Sequence, residues 1–225
     1  MKQLPKHRLI IMAHPDDPEL ACGGTIADWT RRDRVTHIIV SCGEKGTWQK
    51  NDSPLRIADT REREAQKAAK VLGTKKVIFL RHPDGGLASN KTLSLELAAL
   101  IRHLKPYTIV THDPWRRQFH PDHRAAGFAV IEAVMIARDW HFFPFLKEIG
   151  LKIHRARELL LTPTDQPTFV NDVTQTFKKK LTAIRCHKSQ LGQLPGWEKR
   201  ITEFAQSTGK PAGFRYGEGF YKMRI

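Results

Sequence analysis

No stretch of this chain is apolar enough, for long enough, to cross a bilayer. The opening Met1-Lys2-Gln3-Leu4-Pro5-Lys6 runs straight into a strand-like segment, without the apolar centre of a signal peptide. A soluble, cytoplasmic protein with no membrane span is expected. Cysteine is scarce: Cys22, Cys42 and Cys186 lie far apart, make no Cys-x-x-Cys pair and cannot build a disulfide framework, so reduced thiols are expected. There is no repeat of solenoid period and no low-complexity tract. A nucleotide-binding Rossmann enzyme needs a glycine-rich turn after its first strand, and His14-Pro15-Asp16-Asp17 stands there instead.

Acidic residues are also in deficit: 38 Lys and Arg face 23 Asp and Glu, a formal charge of +15. Such a surplus creates a positive potential attractive to anions. It is spread over Arg31-Arg32, Arg61 to Lys70, Arg116-Arg117 and Lys178-Lys179-Lys180 rather than gathered in a tail. A solvated basic surface is the first reading, an anionic substrate the second, and nucleic acid or an anionic membrane the third. A non-catalytic polyanion or nucleic-acid binder would lose affinity steeply with salt and ignore chelators. The chain offers no recognisable nucleic-acid module and no regular interleaving of aromatic with basic residues.

With 225 residues, 40% of them hydrophobic, the chain can bury a core as one domain over 1–225, its 171–225 part a helical and extended segment packed on the rest. Short apolar runs alternate with helical patterns. Strands are expected at 8–12, 35–40, 77–80, 107–111 and 158–162, with a last extended segment at 214–223. Helices are expected at 19–32, 56–72 (stopped by Gly73), 93–104, 121–138, 173–190 and 197–206. This alternation implies an α/β fold: a Rossmann-like three-layer αβα sandwich with a mostly parallel central sheet.

Two similar tetrads carry the chemistry. His14-Pro15-Asp16-Asp17 follows the first strand, and His120-Pro121-Asp122-His123 lies a short loop beyond the fourth; each opens a helix. Ligands of open α/β sheets bind outside the carboxyl ends of the strands, so both tetrads point at one crevice. His14 and Asp17, three apart on a turn, can chelate one cation, with His123 reaching it from across the crevice. Two histidines, a carboxylate and an open position for water make a catalytic zinc environment, although such a set also accepts iron, cobalt or nickel. Asp16 is then free to act as general base on the water. His120, held by Asp122, would stabilise a developing oxyanion or donate a proton.

Blander readings stand beside these. Asp16 at a helix start is an ordinary N-cap residue. The third His-Pro-Asp run, His82-Pro83-Asp84, reads as a turn before Gly85-Gly86. His37, His103, His112 and His187 read as scattered structural histidines, with His112 also placed to line the pocket. Trp48, Trp115, Trp140, Phe142 and Phe143 fall in or near candidate rim loops, and each by itself reads as a packing residue.

The residues nevertheless resemble a known family. Ala13-His14-Pro15-Asp16-Asp17-Pro18-Glu19 followed by Gly23-Gly24-Thr25, together with His120-Pro121-Asp122-His123-Arg124, is similar to the signatures of the LmbE-like, or PIG-L, family of metal-dependent N-acetylglucosaminyl deacetylases. Gly43-Glu44-Lys45-Gly46, the Arg61-x-x-Glu64 helix, His187-Lys188-Ser189-Gln190 and Tyr216-Gly217-Glu218-Gly219-Phe220 extend the likeness over nearly the whole chain. The sequence departs from the pattern mildly, with Pro18 directly after Asp17 and Gly217 where a small residue such as alanine is common. The resemblance implies metal ligands at His14, Asp17 and His123, a general base at Asp16, and a transition-state contact at His120 with Asp122 behind it. It also implies a substrate-side role for Arg61, whose alternative is a helix salt bridge with Glu64. Its implied cofactor is Zn2+, or another divalent metal such as Fe2+. Its implied partner is a small N-acetylated sugar conjugate, which the positive charge favours as anionic. Members are often multimers, which suggests a homo-oligomer.

Overall fold

The computed structural model describes residues 4–115, 119–192 and 195–225. Strands β1 (His7–Met12), β2 (Arg34–Ser41), β3 (Lys76–His82), β4 (Thr108–Thr111) and β5 (Glu158–Leu161) run parallel to one another. Two further strands, β6 (Phe169–Asp172) and β7 (Gly217–Arg224), complete a seven-stranded sheet in the order β3-β2-β1-β4-β5-β7-β6, with β7 antiparallel to both neighbours. The mixed α/β sheet agrees with the expected class. β6 was not expected: Phe-Val-Asn-Asp is short, and neither of its faces is fully buried.

The helices divide between the faces, and β1 shows why. Its residues alternate with period two. Leu9 and Ile11 pack with α3 (Lys91–Leu104) and α4 (Pro121–Arg138), whereas Ile10 and Met12 pack with α1 (Asp17–Trp29), α2 (Pro54–Leu72) and α6 (Phe177–Ile184). The expected 173–190 helix is in fact α6 and a single turn, α7 (Lys188–Leu191), separated by Arg185–His187. Another short turn, α5 (Phe145–Glu148), precedes β5, and α8 (Trp197–Gly209) leads into β7.

Strand order reverses between β1 and β4, the place where open α/β sheets form their ligand crevice. The first tetrad leaves β1 there, and the second opens α4 there. No helix among the described residues is long and apolar enough to cross a membrane, and Cys22, Cys42 and Cys186 are free thiols.

Helix α1 starts two residues earlier than its periodicity suggested, because Pro18 occupies its first turn, where a missing N–H costs nothing. It breaks at Cys22, whose φ of −145° is non-helical. The N–H groups exposed by the break are taken by the buried carboxylate of Glu218 on β7, at 3.0 Å from Gly24 and 2.7 Å from Thr25. Lys180 of α6 donates to the same carboxylate at 2.6 Å. A Cβ on Gly24 would lie 2.7 Å from Val173, so a side chain here would force the C-terminal segment away from α1.

Candidate active site

The turn that leaves β1 gathers its own ligands. Asp17 Oδ2 accepts the backbone N–H of His14 at 2.7 Å, which holds the carboxylate beside the imidazole. His14 Nδ1 lies 3.3 Å from Asp17 Oδ2 and 3.1 Å from His123 Nε2. His123 Nε2 is 3.2 Å from Asp17 Oδ1. Three donor groups from two separate tetrads thus stand 3.1–3.3 Å apart. With metal bonds of about 2.0–2.1 Å, the edge of a tetrahedral zinc site is about 3.3 Å.

The surroundings of His14 support the same reading. Its Nε2 faces Asp84 Oδ1 at 3.1 Å and Asp122 Oδ2 at 3.4 Å, and a carboxylate behind a ligating imidazole fixes the tautomer that offers the opposite nitrogen to a metal. Burial disfavours the imidazolium, but Asp17 and then the hydrogen bonds of Asp122, Asp17 and Asp84 overcome it and push the His14 pKa up to about 12. A pocket that holds a proton so tightly is electrostatically a cation site. Burial likewise works against the charge of Asp17, yet His123, His112 and His14 hold that carboxyl well below the usual range. Overlapping groups of possible donors surround the same centre: His14, His120 and His123; Asp17, His112 and His123; His14, Asp84 and Asp122. The donor set fits a divalent transition metal.

Asp16 occupies the N-cap position of α1 but makes no capping bond. Its Oδ1 accepts instead from Arg61 Nη2 at 2.7 Å. Arg61 is 4% exposed, and its Nη1 donates to the Gly43 carbonyl at 2.8 Å. Gly43 has φ of +67°, and a Cβ there would sit 2.6 Å from the guanidinium, so the loop after β2 closes over Arg61 only because this residue is glycine. The salt bridge to Glu64 does not form. Glu64 accepts from the N–H and hydroxyl of Ser189 at 2.9 and 2.6 Å, tying α7 to α2.

Asp122 is placed differently from the expected support of His120. Its carboxylate accepts from the N–H groups of Gly85 at 2.7 Å and Leu87 at 3.2 Å and faces His14. What joins it to His120 is its backbone N–H, donated to His120 Nδ1 at 3.2 Å. With Nδ1 accepting, the neutral ring of His120 carries its proton on Nε2. Burial, then the positive charges of His14 and His123, push the His120 pKa down, so the ring is a neutral donor rather than a cation.

Asp84 stands in the expected turn before Gly85, and it also reaches the site, which the sequence reading did not assign to it. It is 5% exposed, touches His14 and accepts the Lys45 N–H at 3.2 Å, with its pKa pulled down to about 2 against burial by its hydrogen bond with His14. The signal was available: His82-Pro83-Asp84 repeats the first three residues of both tetrads and follows a parallel strand at the same sheet edge. His112 lines the site too. Its Nε2 accepts from Ala13 N–H at 3.0 Å, its ring stacks on His123 with centroids 4.1 Å apart, and burial drives its pKa down to about 4. His187, read as structural, forms a buried pair with Glu19 at 3.0 Å. Of the rim aromatics, Phe143 packs partly against the core, but Trp48, Trp115, Trp140 and Phe142 are exposed.

Residues 9–134 match the PIG-L family model, described as GlcNAc-PI de-N-acetylase. Over 218 residues the chain is 33% identical to diacetylchitobiose deacetylase of Thermococcus kodakarensis, covering 95% of this chain and 82% of that protein. It is 30% identical over 202 residues to a probable N-acetyl-alpha-D-glucosaminyl L-malate deacetylase 2 of Bacillus cereus, covering 83% and 84%. Among solved structures, N,N'-diacetylchitobiose deacetylase from Pyrococcus horikoshii superposes with a TM-score of 0.92 at 32% identity, covering 97% of this chain and 84% of that one. The matched segment contains both tetrads, Arg61 and Asp84, and the chain belongs to the PIG-L family.

Proposed function

We propose that the protein is a zinc-dependent hydrolase that removes the N-acyl group of an N-acetylglucosamine-type sugar conjugate. The observation that carries this reading is the convergence of His14 Nδ1, His123 Nε2 and Asp17 within 3.3 Å of one another, one residue from a carboxylate that declines its capping role. The two relatives of 30% identity or more described above are named as deacetylases of amino-sugar compounds, which supports the same chemistry here.

His14, Asp17 and His123 would hold the metal, which when bound polarises the amide carbonyl and lowers the pKa of water. Asp16, oriented by Arg61, takes a proton from the attacking water as its oxygen bonds to the acyl carbon. The neutral Nε2–H of His120 donates to the oxygen on which charge develops. Asp16 or His120 then delivers a proton to nitrogen as the C–N bond breaks, leaving a carboxylate and a free amine. Arg61, buried and donating to both Asp16 and the Gly43 carbonyl, would serve the substrate side through its hold on Asp16, with a sugar hydroxyl or an attached phosphate as the polar group met there. The +15 charge favours an anionic conjugate. The whole chain acts as one unit in this reading, because Glu218 and Ser189 brace the helices that carry Asp17 and Arg61. Free thiols suit a cytoplasmic setting.

Metal analysis of wild type and His123→Ala, coupled to free-amine detection on a panel of N-acetylglucosamine conjugates, tests the reading. Metal near one per chain, lost in the variant, with chelator-sensitive amine release, is expected. Asp16→Asn should keep its metal and lose about 10²–10⁴-fold in turnover. Absence of metal under replete conditions, or full activity in metal-loaded Asp16→Asn, would overturn the assignment.

A further inference from the structure

Helix α7 is a single turn that buries no residue of its own, yet its side chains and that of His187 just before it reach three different elements of the active site. His187 Nε2 lies 3.0 Å from Glu19 Oε2 on α1, and both residues are 1% exposed. Ser189 donates its N–H and its hydroxyl to Glu64 on α2. Gln190 Nε2 donates to the carbonyl of Gly46, in the loop after β2, at 2.9 Å and to Ser189 Oγ at 3.1 Å. Successive residues of a helical turn point about 100° apart. One turn wedged between two helices and a loop can therefore hold each of them by a different side chain.

Those three elements are the ones that set the contact between Arg61 and Asp16. Asp16 stands at the N-cap of α1, one turn before Glu19, and Arg61 lies one turn before Glu64 on α2. The loop grips the guanidinium. Nη1 donates to the Gly43 carbonyl, and a Cβ on Gly46 would clash with Nη1 while lying 3.0 Å from Gln190 Oε1. Gly46 is thus in touch with the guanidinium and with the amide that holds it. Arg61 Nε is buried without a hydrogen bond, so the fork is aimed by its two Nη groups and by the loop against them.

Covering α1 and α2 does not call for polar contacts of this kind, because a buried ion pair adds little net stability over apolar side chains of similar volume. What hydrogen bonds add is direction. A catalytic group displaced by about 1 Å, even by a change outside the site, loses about 100-fold in rate.

We infer that the 187–190 turn is a positioning device for the general base: it keeps α1, α2 and the loop after β2 in register, and Gln190, acting through Gly46, holds Arg61 so that Asp16 stays aimed at the attacking water. The inference rests on the hydrolase reading above and adds the residues that act behind Arg61.

The experiment compares metal-loaded wild type, Gln190→Ala, Arg61→Lys and the double variant on the N-acetylglucosamine panel, with Lys188→Ala, exposed on the same turn, as control. Gln190→Ala should lower kcat about 10-fold with KM and metal content unchanged, and Lys188→Ala should not. Arg61→Lys/Gln190→Ala should lose no more than Arg61→Lys alone, since both changes act through one guanidinium. A smaller folded fraction would instead multiply the two losses. The guanidinium is followed directly in 15N–1H spectra, where the Arg61 signals, identified by their disappearance in Arg61→Lys, should broaden in Gln190→Ala. Full kcat in Gln190→Ala, multiplied losses in the double variant, or Arg61 signals unmoved by Gln190→Ala would overturn the inference and leave the hydrolase standing. Broadened Arg61 signals in a protein that hydrolyses no amide of the panel would keep the hold on Arg61 and overturn the hydrolase.

Discussion

Removing the carboxylate of Glu218 should cost more stability than any single contact on the catalytic turn. Glu218 and Lys180 are 3% and 5% exposed, and their ion pair is 2.6 Å long. The same carboxylate takes the N–H groups of Gly24 and Thr25 at the break in α1. In Glu218→Ala the ammonium of Lys180 is left buried without its partner, and two backbone donors lose theirs. Deleting one member of a buried pair costs about 3–5 kcal/mol. For a chain of this length each kcal/mol moves the midpoint by about 2–4 °C, so a fall of about 6–20 °C is expected. Lys180→Met should cost less, since Glu218 keeps its two N–H donors. The double variant Lys180→Met/Glu218→Ala should be more stable than the sum of its singles by about 0.5–3 kcal/mol. Urea unfolding of metal-free protein measures these differences without the contribution of bound metal. A loss below 1 kcal/mol in Glu218→Ala, or strict additivity in the double variant, would refute the argument that this pair holds α1 in its broken form.

Three further outcomes follow from the geometry. Arg61→Lys replaces a fork spanning Asp16 and the Gly43 carbonyl with a point charge, so turnover should fall about 100-fold with metal content unchanged; undiminished kcat would exclude a positioning role. Burial pushes the His37 pKa down to about 3 from 6.5, so the unfolded chain binds a proton that the folded chain refuses. Stability from this residue is therefore complete above pH 6.5 and drains at about 1.4 kcal/mol per unit as pH falls toward 3; His37→Leu should flatten that slope in acid unfolding curves. Finally, His14 keeps a proton to about pH 12 while no cation is bound, so loading metal at pH 7–8 should release about one proton and affinity should rise with pH. Calorimetry in buffers of different ionisation enthalpy counts the proton, and a count of zero would contradict the assignment of Nδ1 as donor.

What the sequence revealed was whatever is encoded locally. The His14/Asp17 pair is three residues apart on one turn, and strand periodicity placed His123 at the same sheet edge, so the donor set was legible. Arg61 was singled out by the resemblance, but its partner Asp16 is 45 positions away and its helical neighbour Glu64 looked the more natural one. Asp84 was obscured by its own surroundings: Asp-Gly-Gly carries a strong turn signal, and the contact with His14 spans 70 residues. Pairs such as Glu19–His187 and Lys180–Glu218 leave no periodic trace, because a buried ion pair depends on three-dimensional meeting and not on spacing. β6 escaped for a related reason: a four-residue strand with neither face fully buried shows no alternation to read.

The position of β7 has a consequence for how the chain is made. Every expected metal ligand has been synthesised by residue 123, yet the N–H groups at the break in α1 wait for Glu218, and β5 waits for β7 to cover its edge. A ribosome-bound chain that already carries both tetrads therefore keeps an unbraced first helix for about ninety-five residues more of elongation, and β5, once made, keeps an uncovered edge for about sixty of them. At about 5–20 residues per second this exposure lasts several seconds. Uncovered strand edges recruit other strands, so a higher level of nascent-chain chaperones should raise the yield of folded protein.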